Sequence, residues 1–205
     1  MGARGGTRGR ILREALRLFA ERGYRDVTVG QIEAAAGLAP RRGGFYRHFA
    51  SKESVLAETV EHHALELAAI GQDAASSPGD PEERLRRLAA WGLAFLRGQR
   101  LLLRVLAREG DRLPALRRTV LGRLVDPGYR LARREFARLR PRARPQEVRG
   151  VAAVALGALV HFVEDGQSFG VPPARASERA FVDAWVALLL AWSRRRAPRW
   201  HSRRR

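Results

Sequence analysis

The 205 residues carry 39 Lys or Arg against 21 Asp or Glu, a formal charge of +18 and a pI near 11.7. So basic a chain attracts polyanions or anionic surfaces, and nucleic acid becomes the leading class of partner. There is no cysteine, which excludes disulfides, zinc–thiolate sites and cysteine nucleophiles and fits a reducing cytoplasm.

The opening MGARGGTRGR holds arginines but none of the apolar stretch of a signal peptide, and no later run reaches the roughly 18 uninterrupted apolar residues of a spanning helix. A soluble, unexported, cytoplasmic protein with no membrane partner is expected. Patterns of 3.6-residue period run nearly throughout, without sustained alternation between hairpin turns, so the fold class is all-α. Residues 1–8 form a basic arm, read equally as a minor-groove arm or a solvated tail. From Gly9 to Glu21 the apolar positions Ile11, Leu12, Ala15, Leu18 and Phe19 share a face, and Gly23 closes the helix. Thr28 with Gln31 three residues on is a capping box, so a short helix spans about Val29 to Ala36 and Gly37 stops it. Ser51 then caps a helix whose stripe runs from Val55 to Ala68 and fades near Ile70.

DAASSPGDP, Asp73 to Pro81, has the composition of a linker. It divides a DNA-binding domain over 9–72 from a larger helical domain over 81–195, followed by a basic tail over 196–205. Helices are expected over Pro81–Arg97, Leu101–Arg108 and Leu113 to about Leu139, the last broken or kinked at Asp126, Pro127 and Gly128. Two strongly apolar helices follow, Gln146 to about Glu164 and Ser177 to about Trp192. A helix apolar on nearly every face needs cover, which a second copy supplies more easily than so small a domain, the alternative being that Gln146 to Glu164 is the central core helix of a monomer. Val151, Ala155, Leu159, Trp185, Leu189 and Trp192 are the expected dimer-interface positions.

Helix, capping box, short helix, glycine turn, helix is the helix-turn-helix order. The stretch ILREALRLFAERGYRDVTVGQIEAAAGLA, with FYRHFASKESVL after it, resembles the N-terminal domain of the TetR family of bacterial repressors. The matching positions are Gly23, Tyr24, Thr28, Val29, Ile32, Ala35 to Gly37, Phe45, Tyr46, His48, Phe49 and Ser51 to Glu53. The resemblance covers the first quarter to third of the chain. It implies a homodimeric repressor that binds a palindromic operator on double-stranded DNA and is released by a small molecule in the C-terminal domain.

On that basis Thr28 and Lys52, at two helix starts, are expected on phosphates, with Tyr46 and His48 on phosphate oxygens. Arg41, Arg42 and Arg47 are candidates for base edges, since guanidinium pairs bidentately with guanine. Gly43 and Gly44 let the backbone approach phosphate. The APRRGG segment is about two residues longer than the family's usual form. Either the turn is expanded and the helix begins near Arg42, or Pro40 takes the first helical position.

In the C-terminal domain, Trp91, Phe95, His161 and Phe162 are the positions expected to meet a ligand, although His161 reads more readily as a histidine bonded inside the bundle or at a dimer interface. His62 and His63 lack convincing metal spacing, so no metal or cofactor is expected. No GxSxG, P-loop or Rossmann fingerprint occurs, and no enzyme is expected. The competing reading is a DNA-coating architectural protein that acts by charge alone, without a ligand.

Overall fold

The computed structural model describes residues 6–40, 42–76 and 79–195. Arg41, the arm over 1–5 and the tail over 196–205 lie outside the described residues.

Among the described residues nine α-helices are formed: α1 Thr7–Arg22, α2 Val29–Ala35, α3 Lys52–Ser76, α4 Pro81–Gly98, α5 Arg100–Glu109, α6 Pro114–Val120, α7 Asp126–Leu139, α8 Pro145–Ser168 and α9 Glu178–Arg194. α1 begins at Thr7, inside the stretch expected to be an arm, and α3 continues six residues beyond Ile70. Pro127 cannot donate to a helical ladder, and its ring crowds the carbonyl four residues back. The chain meets this with a π-helical turn over Leu121–Val125, in which the Asp126 N–H reaches back to the Leu121 carbonyl. The span from α6 into α7 is therefore widened upstream of Pro127 rather than broken at it.

By packing, the chain falls into two compact units that do not follow the linear division at the linker. The first joins the residues up to Ala69 with Arg97–Pro127, and the second joins Ile70–Leu96 with the residues from Gly128 onward. The expected assignment of all of 81–195 to one domain thus needs correction. α5 and α6 belong with the N-terminal helices, because α5 turns the buried Leu102 and Val105 inward and packs along α1.

The second unit has its own core. Leu85, Leu93, Phe136, Ala152, Leu159 and Trp185 are among the residues that fill it. Trp185 donates its indole N–H to the Ala155 carbonyl at 2.9 Å, so burying its polar edge leaves no orphan donor. Phe162 stacks on Phe181 with centroids 4.2 Å apart. Gly92 lets α4 approach α8 closely, since a Cβ there would meet Leu159 Cδ1 at 3.0 Å. By length and mean hydropathy, 1.3 over its best window, α8 would suffice to cross a membrane. Here it lines this core.

Ala155, Leu159, Trp185 and Leu189, expected at a dimer interface, are buried in that same core. Their side chains face their own chain and leave nothing for a second copy to cover. The exposed face of the two helices is instead marked by Val154, 75% exposed, and Leu188, 72% exposed. Val151 and Trp192 are half-buried.

Candidate nucleic-acid interface

The capping box at Thr28 forms in full. Its hydroxyl accepts the Gln31 N–H at 3.3 Å, and the Gln31 side chain accepts the Thr28 N–H at 2.8 Å. α2 ends at Ala35, and two residues on Gly37, with a positive φ of 73°, turns the chain away at little steric cost. Of the longer APRRGG segment, Pro40, Arg42, Gly43 and Gly44 lie in turns and bends. Gly43 has φ 70°, which no right-handed helix accommodates, so the helix begins neither near Arg42 nor at Pro40. One helical turn forms over 44–48 and closes with the N–H groups of His48 and Phe49 both on the Phe45 carbonyl, at 2.9 and 3.0 Å.

A single turn is too short to hold itself in water, and three devices fix it. The first is apolar: Phe45 and Phe49 are both buried, with centroids 5.7 Å apart. The second is Glu33 of α2, only 1% exposed, whose carboxylate accepts the Phe45 N–H at 2.9 Å and so caps the turn from beneath. Gly44 stands beside it because a Cβ there would crowd Leu38 at 3.2 Å. The third is Arg8, whose guanidinium donates to the His48 carbonyl, pairs with Glu58 and lies 4.5 Å over the Phe49 ring. Arg8 was expected in a flexible arm, and Glu33 reads in sequence as one polar residue of an alanine-rich helix. Neither carries a local signal of its role.

With its base so held, the turn presents its other side. Tyr46 is 62% exposed, and Arg42 and Arg47 are exposed beside it. His48 is half-buried, as are Gly43 and Gly44, while Thr28 is exposed at the head of α2. These are the groups a phosphate backbone or a base edge could meet.

Lys52 is placed differently from the other cations. Its ammonium donates to the Tyr24 and Val27 carbonyls at 2.7 and 2.8 Å and sits 4.5 Å from the centre of the Tyr24 ring. Two of its three donors thus tie the start of α3 to the segment between α1 and α2. Burial lowers its pKa, while Glu53 and Asp26 work the other way. Tyr24 is buried with its hydroxyl turned toward Glu53, outside strict hydrogen-bond geometry. Burial first, then Glu53, pushes the phenol up, and the phenol in turn is the largest cause holding the Glu53 carboxyl below its usual range. Ser51 caps α3, its hydroxyl accepting the Ser54 N–H at 3.3 Å.

The four residues expected to meet a ligand differ in exposure. Phe162 belongs to the core of the second unit, and His161 points outward beside Asp165 at 3.4 Å. Its place on the outer side of α8 removes the reading as a histidine bonded inside the bundle. Trp91 and Phe95 lie half-buried one turn apart on α4. Among the described residues no cluster of His, Asp and Glu has the geometry to hold a metal ion.

Residues 11–59 match the family described as bacterial regulatory proteins, tetR family. The HTH-type transcriptional repressor KstR2 of Mycobacterium tuberculosis is 41% identical over 81 residues, 40% of this chain and 40% of that protein. The HTH-type transcriptional regulator TcmR of Streptomyces glaucescens is 53% identical over 49 residues, 24% of this chain and 21% of that one. The similarity to these curated relatives thus spans two-fifths of their length or less. Among solved structures, the fatty acid degradation regulator FadR of Bacillus halodurans superposes with a TM-score of 0.67 at 24% identity, over 94% of this chain and 98% of its own. A TetR-like transcriptional regulator from Rhodococcus sp. RHA1 gives 0.66 at 20% identity, over 89% and 93%. At such identities these superpositions speak for the fold alone.

Proposed function

We propose, from the match of residues 11–59 to the tetR family of bacterial regulatory proteins, that the protein is a cytoplasmic transcriptional repressor, acting as a homodimer on a palindromic operator and released by a small molecule bound in its second unit. The observation that carries this reading is the helical turn over 44–48. Its inward residues are fixed by Glu33, Arg8 and two phenylalanines, while Arg42, Tyr46 and Arg47 stand exposed on its other side. A rigid base under exposed guanidinium and phenol groups is what base-edge reading in the major groove requires. Thr28 and His48 would then position the domain on phosphates. Arg41 remains a candidate on sequence grounds.

Two-fold pairing would use the outer face of α8 and α9, where Val154 and Leu188 are exposed among Ala153, Gly157, Ala184 and Ala187. Small residues there allow two helix pairs to pack as a four-helix bundle, an isologous contact that matches a palindrome. Of the expected ligand positions, Trp91 and Phe95 are those on which a ligand site still rests.

Binding-site selection with the full-length protein tests the reading. A palindromic motif should emerge, and Arg47→Ala should relax preference at particular base pairs as well as weaken binding. Binding that prefers no sequence over random duplex at moderate salt would leave only the charge-driven architectural reading.

A further inference from the structure

With 39 Lys or Arg against 21 Asp or Glu, only some of the arginines of this chain can be matched by acids. Arg8 meets Glu58, Arg17 meets Glu14 and Glu21, Arg86 meets Glu82 and Asp183, and Arg123 meets Glu61. Others gather at one end of the second unit. Where α7 and α9 end and α8 begins, residues 138–149 hold Arg138, Arg140, Arg142, Arg144 and Arg149, with Arg138 paired to Glu135 and Glu147 the one acid of the segment. The end of α9 adds Arg194 and Arg195. Arg140 brings the segments together, with its guanidinium 5.6 Å over the Trp192 ring of α9 and 3.5 Å from Glu147 of α8. Arg142, Arg144, Arg194 and Arg195 are all exposed around it.

We infer that this end of the second unit is a phosphate-binding surface for duplex DNA, without sequence preference and separate from the turn over 44–48. Guanidinium groups suit phosphate, which they grip bidentately. Two other anionic partners fit less well. A lipid surface is held by apolar side chains inserted among the headgroups as well as by charge, and a protein partner is held by a buried apolar centre. None of the large apolar side chains exposed in the described chain lies here: Phe169 and Val171 follow the other end of α8, and Trp192 lies half-buried beneath Arg140. What the surface offers is charge on rigid supports, which is the sequence-independent component of DNA binding.

The experiment compares three full-length proteins, each with its residues 196–205 intact: wild type, Tyr46→Ala with Arg47→Ala, and a basic-end variant with Arg142, Arg144, Arg194 and Arg195 each replaced by Gln. Binding of a random-sequence duplex is measured across a salt series, and pelleting with phosphatidylglycerol vesicles is measured in parallel. The turn variant is expected to retain steep, salt-dependent binding to random duplex. The basic-end variant should lose about tenfold or more in that affinity, with the slope of log K against log salt shallower by about three per protomer. Circular dichroism melts show whether the substituted protein is folded. Equal random-duplex binding by a folded basic-end variant and wild type overturns the inference, and so does arginine-dependent binding to the vesicles but not to duplex. Because the duplex carries no operator, these outcomes are independent of whether operator selection succeeds.

Discussion

Glu33 places an ionisable group where only 1% of it is exposed, and its partner is a backbone N–H of the turn it supports. Removing the acceptor leaves that donor orphaned in the interior, which costs about 1–3 kcal/mol. Glu33→Ala should therefore lower stability by that amount in urea denaturation and weaken DNA binding, whereas Glu33→Gln, which keeps an acceptor oxygen, should recover much of both. A Glu33→Ala protein as stable as wild type would show that the turn does not depend on this clamp. Lys52 leads to a similar expectation. With two donors on the Tyr24 and Val27 carbonyls, Lys52→Met should reduce stability by about 1–2 kcal/mol. Arg47→Ala, at an exposed position, should leave the melting temperature unchanged. If Lys52→Met melts with wild type yet loses DNA binding, the ammonium serves phosphate rather than the fold. Sequence made Thr28 and its box legible because capping is local, with donor and acceptor three residues apart. Glu33 to Phe45 spans twelve residues and Arg8 to Glu58 fifty, and nothing in either neighbourhood marks such a partnership.

At the scale of the element, period located α8 and α9 but not the direction each faces. Both carry apolar residues on an inner and an outer side, and a step of one residue turns a helix position by about 100°. Leu188 and Leu189 are therefore alike in sequence and opposite in place, 72% and 4% exposed. Leu189→Arg would bury a cation in the core of the second unit and should abolish cooperative unfolding of that unit. Leu188→Arg should leave the fold intact and give a monomer in sedimentation velocity. A folded dimer from Leu188→Arg would mean that this face is not the contact. The π-helical turn ahead of Pro127 is an element of a kind that sequence did not reveal. A proline shows that the ladder must change, while the surrounding packing chooses between a break, a kink and a widened turn.

For the whole molecule, the two packing units interleave along the chain. A fragment of residues 1–76 contains every helix of the helix-turn-helix yet lacks α5, whose Leu102 and Val105 are fully buried in the intact protein. Such side chains contribute about 1.5–3 kcal/mol each when buried, and the surface of α1 that they cover would be left open. The fragment should therefore melt well below the full-length protein and bind a hydrophobic dye. A fragment as stable as the intact chain would show that α5 adds nothing to the unit. The composition at Asp73 to Pro81 pointed to a join between domains, whereas α3 runs on to Ser76 and the packing units interleave, because a later segment can return to an earlier unit. Charge had the same limit. Its total pointed to a polyanion, and only the fold shows that Arg140 draws together the end of α7, the start of α8 and the end of α9.

The division of labour within the turn over 44–48 bears on how such a protein can change through descent. Phe45, Phe49 and the partners Glu33 and Arg8 hold the shape, while Arg42, Tyr46 and Arg47 face outward and are exposed. Substitutions at the outward positions are nearly neutral for folding, so a lineage can explore new binding sequences there by single steps without first acquiring compensating stability. The inward set allows no such drift. Paralogues arising from one ancestral gene could thus diverge in target while remaining the same folded object.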